Sequence, residues 1–245
     1  VALVVAWTAT LLARRRPSPR YTYGLRGSSI WAALFNALLL LVACGAIGWE
    51  ALHRLSEPSP VPGMTVLAVA AAGVVINTAT ALLFMRGSKE DLNRRSVFLH
   101  MAADAAVSLG VMIAGGLMLV TGWLWLDPAV SLLIVAVILI STWALLKDSV
   151  NMALHAVPSG IDPVVVGNYL KALPGVSAMH DLHIWSMSTA ETALTVHLVI
   201  PGEHPGDVFY AELGRELEHR FGIHHATVQV ERGDAADPCR LAPDE

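Results

Sequence analysis

Ser96-Val97-Phe98-Leu99-His100-Met101-Ala102-Ala103-Asp104-Ala105-Ala106-Val107-Ser108 decides how this chain is read. The stretch lies in an apolar run long enough to cross a bilayer, yet it carries an imidazole and a carboxylate. His100 and Asp104 are four residues apart, so on a helix both leave the same face, one turn apart. Ser96 and Ser108 extend that row by one step each way. An ionised carboxylate at the centre of a spanning helix costs roughly 2.5–3.5 kcal/mol on insertion scales, so such residues have partners and a task. Imidazole nitrogen and carboxylate oxygen are also ligand types of a tetrahedral zinc site. Two ligands do not complete a site, and a further pair must come from elsewhere.

The remainder of the chain fits a membrane setting. Of its 245 residues 55% are hydrophobic and 15% charged, and the mean hydropathy is +0.57. That excludes an ordinary soluble domain and indicates a membrane protein with a soluble portion. A net charge of −4 without a basic, aromatic-interleaved patch gives no case for nucleic acid. Cys44 in an apolar segment and Cys239 in the polar tail do not make a disulfide framework. Val1–Ala13 lacks the flanks of a signal peptide and is too short to span. It reads as the end of a spanning helix whose start lies upstream.

Four complete spans follow: Ile30–Leu52, Met64–Met85, Val97–Val120 and Pro128–Leu146. Ser56 to Gly63 is a Pro-rich breaker, and Trp123 and Trp125 are interfacial anchors. Asn36 and Asn77 are expected to serve packing between helices, and Asp127 to cap the last span. The connections 14–26 and 86–95 carry Arg14, Arg15, Arg16, Arg20, Arg26, Arg86, Lys89, Arg94 and Arg95, whereas 53–63 and 121–127 carry only Arg54. The basic side is cytoplasmic, and Lys147 places the C-terminal third there too.

From about Pro158 the composition becomes that of a small soluble domain. Asp162-Pro163 starts a helix that runs to Leu173. Met179–Met187 and Glu191–Ile200 read as a hairpin, Pro205–Phe221 as a second helix, and Ile223–Glu231 as a third strand. Strict alternation puts His180 with Leu182 and Ile184, and Asp181 with His183 and Trp185. The αββαβ order predicts a three-stranded sheet with two helices on one face. The divisions expected are a membrane domain over 1–156, a cytoplasmic α+β domain over 157–232, and an acidic tail over 233–245.

Several segments together resemble one known family. They are Tyr23-Gly24 before Ala33-Leu34-Phe35-Asn36-Ala37-Leu38-Leu39, Phe98-Leu99-His100 with Asp104, and Asp127-Pro128. Further along come His180-Asp181-Leu182-His183-Ile184-Trp185 and His225-Ala226-Thr227-Val228-Gln229-Val230-Glu231. In this order they are similar to the cation diffusion facilitators over essentially the whole chain. The resemblance implies a homodimer with six spans per subunit in the cell (inner or plasma) membrane, and a cytoplasmic domain of ferredoxin-like, metallochaperone-like type. It implies no enzyme but an exporter of divalent metal, Zn2+ foremost, in exchange for protons, with Cd2+ or Co2+ as further substrates. It makes His100 and Asp104 half of a four-ligand transport site, whose other pair falls upstream of Val1. The chain departs from the family in placing Gly27 and Ser29 where an Arg and a Glu are common, with Arg26 displaced by one. It also has no His in the 86–95 loop.

In the soluble domain the resemblance raises His180, His197 and His225 as metal ligands, with Glu231 and Cys239 as lesser candidates. His204, His219 and His224 are read as exposed surface histidines. Two functional classes follow. One is a Zn2+/H+ antiporter with a sensing, dimerising cytoplasmic domain; the other is a membrane-anchored metal sensor or interaction module without flux. The intramembrane pair separates them, because a sensor needs no ligand at mid-bilayer.

Overall fold

The computed structural model describes residues 2–57, 63–85 and 92–233; inside its helices a few side chains, that of His100 among them, lie outside the description. Five helices come first: α1 (Ala2–Ala13), α2 (Ser28–Ser56), α3 (Gly63–Met85), α4 (Leu92–Thr121) and α5 (Leu126–Ala153). Of these, α2 to α5 are each long and apolar enough to cross a membrane. The helices α2 and α5, of 29 and 28 residues, are longer than the apolar runs within them. Backbone hydrogen bonding does not stop at the hydrocarbon boundary, so about 42 Å of helix exceeds the roughly 30 Å apolar core. Asp127 therefore lies inside the first turn of α5 rather than ahead of it. There it suits the helix dipole and also accepts a 3.1 Å hydrogen bond from Arg54, which is itself 2.9 Å from Glu50. The α5 helix closes with Ala156 N–H on the Asn151 carbonyl and His155 N–H on that of Met152. His155 takes the left-handed conformation, φ 58°, in the place where this cap ordinarily has glycine.

The chain forms two compact units, one of residues 1–39 with 143–245 and one of 40–142. In the second, α3 packs closely along α4. The first contains the soluble fold: α6 (Pro163–Lys171), β1 (Ala178–Ser186), β2 (Thr192–Val199), α7 (Gly206–Phe221) and β3 (His225–Glu231). Asp162 caps α6 by accepting the Val164 N–H at 2.8 Å, and Pro163 supplies a preset φ at its start. Gly222, at φ 67°, ends α7 in the left-handed conformation that only glycine adopts without a Cβ penalty.

The sheet order is β1-β2-β3. β1 and β2 form an antiparallel hairpin, whereas β3 returns through α7 and pairs parallel to β2. Ile184, Leu194, Val196 and Leu198 from the sheet meet Val166 and Leu170 of α6 and Leu213 and Leu217 of α7 in one core. Both helices thus cover one face, as the αββαβ order predicts. The opposite face carries the polar side chains.

Within the first unit, the α1–α2 connection reaches this domain. Arg26 pairs with Glu191 at 2.6 Å, the Thr189 N–H donates to Ser29 Oγ at 3.1 Å, and the Tyr23 ring meets His225 edge-on.

Candidate metal centres

On α4 the helical backbone carries through both His100 and Asp104, which places them one turn apart as the spacing requires. Asp104 is half-buried. The His100 side chain lies outside the described residues. The neighbouring helix is held at close range by small residues. A Cβ built on Gly63 would come 2.9 Å from Leu119, one on Gly73 2.9 Å from Ser108 Oγ, and one on Gly115 3.9 Å from Val66. Ala70 and Ala81, both buried, continue that stripe along α3. Backbones approach this closely in a membrane only where side chains are short.

The second centre lies on the polar face of the sheet and depends on an irregularity in β1. His180 pairs with His197, but the next paired residue is His183, opposite Thr195. Two β1 residues therefore stand against one of β2, a β-bulge. Asp181 absorbs the extra residue at φ 52°, a left-handed conformation that Asp tolerates better than most residues. Because side chains alternate with period two, one inserted residue reverses the face of everything beyond it. Ile184 stays in the core, while His180 moves to the face of His183 and His197. The strict alternation expected from sequence, with His180 beside Leu182 and Ile184, is corrected by this bulge.

On that face the His180 and His197 rings sit 5.1 Å apart. Glu231 reaches both from β3: Oε1 is 2.8 Å from His197 Nδ1, and Oε2 is 3.5 Å from His180 Nε2. Among the described residues, His180, His197 and Glu231 have ligand atoms within 4.8 Å of one another, close enough to share an ion. Donor atoms around a tetrahedral zinc with bonds of about 2.0–2.1 Å lie roughly 3.4 Å apart, so modest side-chain movement closes the set. The chemistry fits. His180 Nε2 is buried and makes no hydrogen bond, a costly condition that a metal bond relieves. Asp181 stands behind His183 and His197, with Oδ1 2.8 Å from His183 Nε2 and Oδ2 3.7 Å from His197 Nε2. Carboxylates in that position orient ligating histidines.

The other expected ligands are placed differently. His225 starts β3 and Glu231 ends it, about 20 Å away along an extended strand. The structure does not bring His225 to the cluster; it faces Tyr23. Cys239 lies outside the described residues. Of the surface histidines, His204 meets Tyr210 and His224 accepts from the Thr192 N–H. Asp181 is the residue that sequence reasoning passed over as an orienting group, and its signal was available: an Asp between two histidines of a strand is a candidate for the left-handed conformation.

Spanning helices with a His/Asp pair, joined to a sheet carrying a clustered His/His/Glu set, define a class: metal-handling, multi-pass membrane proteins. Comparison with known proteins narrows it. The cation efflux transmembrane domain model matches residues 1–152, and that of the cation efflux protein cytoplasmic domain matches residues 158–233. The metal cation efflux system protein CzcD of Cupriavidus metallidurans is 35% identical over 249 residues, covering 99% of this chain and 79% of that protein. The zinc transporter ZitB of Escherichia coli is 35% identical over 243 residues, covering 98% and 77%. A cadmium, cobalt and zinc/H(+)-K(+) antiporter of Bacillus subtilis is 31% identical over 236 residues, covering 94% and 76%. The solved metal-bound C-terminal domain of the Cupriavidus CzcD transporter matches 29% of this chain and 99% of its own, with 36% identity and a TM-score of 0.27. The chain belongs to the cation efflux family. It is a multi-pass plasma-membrane protein with a cytoplasmic C-terminal domain, and it is not an enzyme.

Proposed function

We propose that the protein exports divalent metal from the cytoplasm, zinc foremost, by exchange with protons at a membrane site to which His100 and Asp104 contribute. The observation that carries this reading is the His-x-x-x-Asp pair on α4, inside the region that matches the cation efflux transmembrane domain. The names of its relatives, which include a zinc transporter and a cadmium, cobalt and zinc antiporter, support the substrate class. Exchange follows from ligand chemistry. Imidazole binds metal only when neutral and has an ordinary pKa of about 6.5, so proton and metal compete for it near neutral pH. A mixed nitrogen and oxygen set suits Zn2+, and accommodates Cd2+ or Co2+, better than Mn2+.

In this reading residues 1–156 form the membrane domain and 157–232 the cytoplasmic one, through which two copies associate. His180, His197 and Glu231 hold a second zinc that regulates rather than carries flux, with Asp181 orienting the His197 imidazole. His225 is not counted as a ligand of that ion within one chain, and Cys239 stays a lesser candidate outside the described residues.

The test is zinc uptake into proteoliposomes under an imposed pH gradient, comparing the full-length protein with His100→Ala and Asp104→Ala. Gradient-driven uptake abolished by both substitutions, with folding and association intact, is the expected result. Uptake that survives both removes this helix from the mechanism. Absence of uptake by the unaltered protein, with zinc still bound in the cytoplasmic domain, overturns transport in favour of a membrane-anchored sensor.

A further inference from the structure

Asn77 is the strongly polar residue of α3, and its place on that helix gives it a role the family reading did not assign. The contacts Gly63 with Leu119, Val66 with Gly115 and Gly73 with Ser108 all fall on one antiparallel register between α3 and α4. One turn further on each helix, four residues from Gly73 and four back from Ser108, brings Asn77 level with Asp104. The next turn brings buried Ala81 level with His100. Asn77 is thus the hydrogen-bonding side chain in a stripe that also holds Gly63, Val66, Ala70, Gly73 and Ala81. That stripe is narrow enough to hold α3 against the ligand-bearing face of α4. A carboxamide there has a donor and an acceptor to satisfy in a setting without bulk water.

We propose that Asn77 is a positioning residue for the transport site, its amide donating to the Asp104 carboxylate when metal is bound. The inference rests on the transport-site reading given above and adds a residue to it. A donor aimed at one carboxylate oxygen fixes which oxygen faces the ion. Loss of the amide therefore weakens metal binding, while the helix pair, packed by its small residues, stays together.

The experiment measures zinc uptake by proteoliposomes of full-length protein over a range of zinc concentrations on the zinc-loading side. It compares Asn77→Ala, Asn77→Leu and Asp104→Ala, with thermal unfolding of each in detergent. Asn77→Ala adds no atoms to a face of small residues and so keeps the fold. Asn77→Leu keeps the volume without the donor. The expected result is a zinc KM raised about 10–100-fold in both Asn77 variants, the size typical of losing a group that orients a metal ligand. Unchanged KM in both variants, with Asp104→Ala inactive, overturns the role of Asn77 and leaves the transport site standing. A lowered unfolding temperature with wild-type KM reduces Asn77 to packing and also overturns it. Wild-type uptake by Asp104→Ala overturns the transport-site reading, and this inference with it.

Discussion

Arg26 and Glu191 meet at 2.6 Å although 165 residues separate them in the chain. One lies in the connection between α1 and α2, the other at the start of β2's approach, and Ser29 accepts the Thr189 N–H beside them. Sequence placed Arg26 one position away from a common family arginine; the structure gives it an acidic partner on the β1–β2 hairpin. Both side chains are about 40% exposed (41% and 37%). Solvent therefore screens the pair, and a coupling of roughly 0.2–1 kcal/mol is expected. A double-mutant cycle of Arg26→Glu, Glu191→Arg and their combination, read by thermal unfolding, will recover most of the loss in the charge-swapped protein. Equal additivity of the two single effects would show that the pair contributes nothing.

The close approach of α3 and α4 predicts which glycine resists enlargement. Gly73 leaves 2.9 Å between an added Cβ and Ser108 Oγ, and 3.4 Å to Ser108 Cβ. Gly73→Val forces the helices apart or Ser108 out of its rotamer, at a cost of about 1–3 kcal/mol. Adding Ser108→Gly to Gly73→Val returns part of that loss, whereas Ser141→Gly, on α5, does not. Unfolding of the three proteins in one detergent decides it.

The bulge in β1 separates two contributions of Asp181. Asp181→Gly keeps the left-handed backbone at φ 52° and removes the carboxylate that faces His183 and His197. Asp181→Val keeps neither, and its β-branch adds roughly 1–2 kcal/mol of backbone strain. Zinc should still stabilise the glycine variant, though with affinity lowered about 10-fold or more. The valine variant should be destabilised even without zinc. The shift in unfolding temperature on zinc addition measures both, and equal behaviour of the two variants would refute the division.

Tyr169 supplies a pH dependence of the soluble domain. Burial pushes its hydroxyl pKa above the ordinary value of 10.0, and Glu216 adds to the rise, while Arg220 opposes it. The Arg220 guanidinium lies 4.9 Å from the Tyr169 ring centroid. A raised folded-state pKa means that the fold prefers the neutral phenol. Its contribution is complete below the unfolded-state pKa near 10 and is lost as pH climbs through the folded-state value. Unfolding temperature should therefore fall more steeply above about pH 10 in the natural protein than in Tyr169→Phe. Identical slopes would exclude Tyr169 as the titrating group.

The spans and the αββαβ order were legible because each rests on local signals. Apolar length marks α2 to α5, Asp162-Pro163 marks the start of α6, and Gly222 marks the end of α7. What was not legible is non-local. The alternation on either side of Asp181 looks regular, so the only hint of an inserted residue in Met179–Met187 is the tolerance of Asp for the left-handed conformation. Without the bulge, His180 points to the core and the cluster cannot be assembled on paper. His225 and Glu231 fall on the same face of β3 by alternation, but only the parallel register, with Glu231 beside Val199 and His225 beside Ala193, shows which end meets His197. The α4 pair was legible from spacing alone; its relation to Asn77 needed the register of a second helix.

The strand order leaves β1 at one margin of the sheet. A straight margin offers a row of unsatisfied N–H and C=O groups onto which another chain can add a strand. The extra residue at Asp181 bends that margin and spoils its regular spacing. The irregularity that turns His180 toward His197 thus also guards the domain against strand-by-strand polymerisation, a hazard sharpened when many copies are confined to one membrane surface. Ironing β1 flat would cost the protein its ligand and expose a sticky edge in the same stroke.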